Sequence, residues 1–213
     1  MRLFVAVVPP PGVLGHLDSA LRAVRADDGR PGPLRWTEPG DRHLTLAFYG
    51  EVPDGVLREL TQDLDAVAAA TPPFELALRG AGVFDGRTVW VGCSGATDVL
   101  GHLMAATGGV GADLLGRPAD SRSRAHLTVA RVSGRARRRT RGGRRGGEPL
   151  GGIGGAATVG PSPASIAHAL AVYAGPTWRV EEVVVMVSDL GAGRGGAPRY
   201  DVVHRSPLAA VAG

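Results

Sequence analysis

The stretch Arg42-His43-Leu44-Thr45-Leu46-Ala47-Phe48 has a near-copy later in the chain, Ala125-His126-Leu127-Thr128-Val129-Ala130-Arg131. Both are short apolar runs bounded by polar or turn residues, the pattern of a strand. Side chains alternate along a strand, so His43 and Thr45 share one face while Leu44 and Leu46 share the other. His126 and Thr128 stand in the same relation to Leu127 and Val129. An imidazole beside a hydroxyl, backed by a buried aliphatic face, is half of a small polar site. Two halves in one chain predict a single site with two histidines.

Outward from these strands, the chain divides into short elements. Arg2 to Val8 is predicted as a buried strand stopped by Pro9-Pro10-Pro11, and Leu14, Leu17, Leu21 and Val24 follow helical spacing. Leu34-Arg35-Trp36-Thr37 is a short strand before the turn Glu38-Pro39-Gly40. Asp54 is the expected N-cap of a helix whose apolar face is Val56, Leu57, Leu60, Leu64 and Val67. Phe74 to Leu78 and Thr88 to Val91 make a hairpin about Phe84-Asp85-Gly86-Arg87. A helix begins at Thr97-Asp98, and Gly108 and Gly109 are expected to weaken its continuation.

After the second motif, seven arginines crowd Arg135 to Arg145 and a Gly-rich tract follows to Gly160. This composition cannot supply a packed core, so positions 135–160 are expected to be a mobile insertion. Ser162-Pro163 caps a further helix carrying Ile166, Leu170 and Tyr173, which Gly175-Pro176 should end. Trp178 to Val187 is one strongly β-forming run, paired with Arg199 to Val203. The whole is read as a single domain, 1–213, with a weak internal duplication.

A chain of 213 residues, 44% hydrophobic and 21% charged, has the composition of a globular domain. Its net charge is +4 and every basic residue is Arg, with no Lys, which rules out a P-loop lysine. The lone Cys93 excludes an internal disulfide and any multi-cysteine zinc motif, and reads as a buried structural thiol. No run is long enough to cross a membrane, and a reducing cytoplasm is the expected location. His16, His102, His168 and His204 lack a matching partner and read as surface or structural residues.

Histidine titrates near neutrality, so one imidazole can act as acid while the other acts as base. Two imidazoles on opposite sides of a phosphorus suit in-line opening of a cyclic ester. Thr45 and Thr128 would donate to the non-bridging oxygens, and Arg131 could supply a cation. Strict alternation turns Arg131 away from His126, so its role requires a bulge or the strand end. Phe4, Trp36, Phe48 and Tyr49 are either base-stacking residues beside the cleft or core residues.

The paired motifs resemble the two signatures of the two-histidine phosphoesterase superfamily. The wider wording resembles its RNA 2',3'-cyclic phosphodiesterase branch, historically called 2'-5' RNA ligases. The supporting stretches are Arg2-Leu3-Phe4-Val5-Ala6-Val7, Leu34-Arg35-Trp36-Thr37, His43 to Glu51, His126 to Arg131, Val183 to Leu190 and Pro198-Arg199-Tyr200. The resemblance implies an α+β bilobal fold with pseudo-twofold symmetry, two antiparallel sheets lining a central cleft and helices packed outside. It implies His43 as proton donor, His126 as proton acceptor, and Thr45 and Thr128 as phosphate-binding residues; Arg131, Phe4 and Trp36 join the expected substrate-binding set from the reading of the residues above. It further implies RNA with a 2',3'-cyclic phosphate end as substrate, a 2'-phosphate product and no metal; no cofactor and a monomer are the expectations set beside it. Members often have Pro before the second histidine, where this chain has Ala125. The alternatives are 2'-5' ligation or cleavage of a small cyclic nucleotide at the same site, or an RNA-binding module without turnover.

Overall fold

A computed structural model describes residues 1–25, 34–116, 125–133, 160–193 and 196–210. The expected Arg/Gly insertion lies almost wholly outside these residues. Nine strands and four helices are described. The strands are β1 (Arg2–Val7), β2 (Leu34–Trp36), β3 (Leu44–Glu51), β4 (Phe74–Phe84), β5 (Thr88–Gly95), β6 (Leu127–Val132), β7 (Ala174–Val180), β8 (Glu182–Asp189) and β9 (Arg199–Pro207). The helices are α1 (Pro11–Val24), α2 (Leu57–Ala69), α3 (Thr97–Leu115) and α4 (Pro163–Ala169).

The strands run in the order β7-β4-β5-β6-β3-β1-β8-β9, with β2 added to β6, and every pairing is antiparallel. The two motif strands are therefore central neighbours. They meet through one residue pair, Leu44 with Leu127, which joins a half-sheet of five strands (β7-β4-β5-β6 with β2) to one of four (β3-β1-β8-β9). The expected two sheets are thus continuous through a narrow seam, and an antiparallel seam gives the pseudo-twofold relation of the halves. The helices cover one face. α2 and α3 pack beneath the half that holds β3, β8 and β9, and α4 packs beneath β4 and β5. The main core fills this space, with Leu3, Leu17, Leu44, Leu60, Leu76, Leu103 and Leu127 at or near zero exposure.

Several local expectations are corrected. Pro11 is the first residue of α1, so the proline triplet ends one element and opens the next, as its fixed φ allows. Asp54 caps no helix through its side chain; it opens a 3-10 turn before α2, and its carboxylate lies 3.8 Å from the N-terminal ammonium. α3 continues through Gly108 and Gly109 to Leu115 and stops at Gly116, which adopts φ +61. A reason to keep a small residue in this stretch is visible at Gly111. Tyr49 lies over it, a Cβ there would stand 2.6 Å from the ring, and the Tyr49 hydroxyl donates to the Thr107 carbonyl at 2.9 Å.

α4 ends at Ala169, so Gly175 and Pro176 belong to edge strand β7 instead of terminating a helix. Its cap is as expected: Ser162 Oγ accepts from the Ser165 amide at 3.1 Å. The single β-run from Trp178 to Val187 is two strands on different halves of the sheet. The chain passes between them at Glu181, whose carbonyl accepts from the Leu208 amide at 2.8 Å.

Candidate active site

The alternation read from the motifs is present. Leu44, Leu46, Leu127 and Val129 are buried, and His43, Thr45, His126 and Thr128 are half-buried on the opposite, helix-free face. Continuing the Leu44–Leu127 register by one residue sets His43 opposite Thr128 and Thr45 opposite His126. The two imidazoles sense each other electrostatically. A single antiparallel seam thus gathers all four side chains.

Bulges decide what joins them. On β6, Ala130 pairs with Val89 and Thr128 with Trp90, leaving Val129 over as an extra residue. Val129 and Ala130 both turn inward, and Arg131 emerges on the face of His126. The bulge that Arg131 needs therefore exists. Arg131 donates to Thr88 Oγ1 at 3.4 Å and its charge reaches His43. On β3, Phe48 pairs with Phe4 and Gly50 with Leu3, so Tyr49 is the extra residue and drops into the core. Phe48 instead lies on the cleft face, 54% exposed, with the Arg2 guanidinium 4.8 Å above its ring.

Each histidine is flanked by two aromatic rings. His43 lies 4.7 Å from Phe4 and edge-to-face with Tyr200 at 5.0 Å. His126 meets Phe84 edge-to-face at 4.8 Å and Trp90 at 6.4 Å, and Phe84 stacks on Trp90 at 5.1 Å. Phe84 reaches this place because Asp85 and Gly86 both take positive φ in the tight hairpin turn. Trp90 lies flat across Gly82, where a Cβ would come within 2.3 Å of its ring.

Phe4 is buried with Ala6, Val184 and Met186, so it forms the floor under His43 and offers no open stacking face. Trp36 is not brought to the histidines. It packs on the main core, under the Arg25 guanidinium at 4.4 Å. Sequence reasoning misses Tyr200, Phe84 and Trp90 as site residues. Their only signal in the sequence is a position beside a turn or in a late strand, because distant strands carry them to the site.

His43 Nδ1 lies 2.9 Å from the Asp41 carbonyl, which can only accept, so Nδ1 carries the proton. Nε2 is left to face the cleft. Burial lowers the His43 pKa from 6.5 to about 4, against the opposing effect of that carbonyl, and the charges of His126 and Arg131 lower it further. The folded protein thus binds this proton less well than the unfolded chain. The stability due to neutral His43 is complete above pH 6.5 and is lost as pH falls toward 4. Denaturant melts across that window should show wild type losing more stability than His43→Gln. Parallel pH curves for the two would contradict this burial.

The loop before His43 is pinned from inside. Arg42 has a fully buried side chain; its Nη2 lies 2.8 Å from Asp18 Oδ1, and Nε and Nη2 donate to the Thr37 carbonyl at 3.2 and 3.1 Å. Cys93 is half-buried, its thiol donates to the Ala125 carbonyl at 3.8 Å, and burial pushes its pKa up to about 11. That agrees with a structural thiol. His16 shares a hydrogen bond with Tyr173, and His204 pairs with Asp65, both away from this face. Among the described residues no three His, Cys, Asp or Glu side chains cluster as metal ligands, and no helix is long and apolar enough to cross a membrane.

A curled antiparallel sheet carrying two His-x-Thr strands at its centre defines a two-histidine phosphoesterase type of fold. Comparison agrees. The family model described as LigT like Phosphoesterase matches residues 8–90. The RNA 2',3'-cyclic phosphodiesterase of Archaeoglobus fulgidus is 32% identical over 138 residues, covering 62% of this chain and 73% of that protein. That of Methanothermobacter thermautotrophicus is 32% identical over 96 residues, covering 43% of this chain; the match spans half the length of that relative. A crystal structure from Thermus thermophilus superposes with a TM-score of 0.69 at 24% identity over 98% of each chain. The chain belongs to the LigT-like phosphoesterase family.

Proposed function

We propose that this protein hydrolyses the 2',3'-cyclic phosphate ends of RNA to 2'-phosphomonoesters by two-histidine acid–base catalysis. The observation that carries the reading is the seam at Leu44 and Leu127, which sets two imidazoles and two hydroxyls on one face in crossed pairs. The names of the matched relatives supply the substrate class.

His126 takes a proton from water as the water oxygen bonds to phosphorus. The P–O3' bond breaks on the far side, and His43 Nε2 gives a proton to the departing oxygen. Thr45 and Thr128 donate to the non-bridging oxygens, and Arg131 balances their negative charge. Neutral His43 must gain a proton on Nε2 before it can donate one. The phosphate anion beside that nitrogen favours the charged form and opposes the effect of burial.

A second reading exchanges the histidines. It is favoured by the Nδ1-protonated, neutral state of His43 in the free protein, whose Nε2 lone pair suits a base. The imidazole chemistry of both readings needs no metal. Turnover of an oligonucleotide with a cyclic phosphate end should therefore survive exhaustive chelation. Activity abolished by chelator and restored by a divalent ion would overturn both.

A further inference from the structure

Where β2 pairs with β6, Arg35 stands directly opposite Arg131. Like charges in that relation repel, and opposed Cα atoms lie only about 4.5–5.5 Å apart. Among the described residues neither guanidinium makes an ion pair, and the hydrogen bond of Arg131 goes to the neutral Thr88 hydroxyl. Both face the cleft. Leu34 and Trp36, on either side of Arg35, pack on the main core, which turns Arg35 to the opposite face. The β6 bulge turns Arg131 the same way. Tyr200, whose ring edges His43, feels the charges of both and of Arg2, which oppose the effect of its burial, while the Asp41 charge adds to that effect.

A cyclic phosphate carries one negative charge, and its oxygens are already addressed by Thr45, Thr128 and Arg131. The second cation has no counterpart at the reacting phosphate. An RNA strand supplies its next negative charge at the phosphodiester one nucleotide upstream, and a mononucleoside cyclic phosphate has none there. We propose that Arg35, beside Arg131, forms a subsite for the phosphodiester immediately upstream of the terminal nucleotide, selecting RNA ends over free cyclic nucleotides. The inference rests on the reaction proposed above for the same cleft.

The test compares wild type, Arg35→Gln and Arg35→Lys on a mononucleoside 2',3'-cyclic phosphate and on a short oligonucleotide with the same terminal residue. The ratio of kcat/KM values, oligonucleotide over mononucleotide, should fall about tenfold in Arg35→Gln, the scale of one charge-assisted hydrogen bond. The loss should lie in KM. The salt dependence for the oligonucleotide should become shallower by about 0.7 in log–log slope, as expected for one phosphate contact. Arg35→Lys should restore most of the ratio. A methylphosphonate at the upstream linkage should weaken wild type by a similar factor and leave Arg35→Gln nearly indifferent.

An unchanged ratio, or a methylphosphonate effect equal in both proteins, would overturn the subsite. If wild type turned over neither substrate, the hydrolytic reading would fail alone. Fluorescence anisotropy with a 2'-phosphorylated oligonucleotide and its methylphosphonate analogue would still decide the subsite by the same comparison.

Discussion

His43→Ala and His126→Ala are each expected to lose at least about a hundred- to ten-thousand-fold in kcat, the usual contribution of a positioned acid or base. The double variant should be little worse than either single one, because the two imidazoles act in one proton-transfer sequence. Each imidazole is also wedged between rings, Phe4 and Tyr200 about His43, Phe84 and Trp90 about His126. Thermal melts should therefore accompany the kinetics, so that lost packing is not taken for lost chemistry. A cyclic phosphate with a much better leaving group needs little protonation. It should rescue the variant lacking the acid far more than the variant lacking the base. Rescue of His43→Ala supports the donor role of His43; rescue confined to His126→Ala would establish the exchanged assignment, to which the low pKa of His43 lends weight.

Arg42→Ala is expected to cost about 3 kcal/mol, the lower end for breaking a buried ion pair, since Asp18 keeps some contact with solvent. The same change frees the Thr37 carbonyl from two hydrogen bonds and loosens the loop that presents the Asp41 carbonyl to His43. Activity should fall further than the folded fraction does. Replacing both charges, Arg42→Leu with Asp18→Leu, should recover much of the stability. It should not recover the activity, because the Thr37 carbonyl still lacks its donor. Denaturant melts read the first effect, and kcat on the remaining folded protein reads the second. Activity restored in step with stability would mean that Arg42 serves packing alone.

The four central side chains are legible because strand alternation is local: His43 with Thr45, and His126 with Thr128, follow from period two alone. What lies around them is less so. A bulge changes which face a residue takes without a mark in composition, so Arg131 reads as turned away from His126, and Phe48 and Tyr49 cannot be separated into a cleft residue and a core residue. Trp178 to Val187 is uniformly β-forming, and nothing in it announces the crossing at Glu181. Gly108 and Gly109 argue for an early end to α3. The close approach of Tyr49 to Gly111 shows the helix held by packing that no window on the sequence contains. Arg42 is unreadable for the opposite reason: arginine is seldom buried, and its partner Asp18 lies on another element. Tyr200, Trp90 and Arg35 reach the cleft only through pairings between distant strands.

The most direct measurement is the position of the phosphate on the product. Wild-type protein, an oligonucleotide with a 2',3'-cyclic phosphate end and excess chelator should yield a 2'-phosphomonoester alone by phosphorus NMR. That product is expected because water enters on the His126 side and the 3'-oxygen departs toward His43. A 3'-phosphate, a mixture of the two isomers, or an intact cyclic end would contradict it.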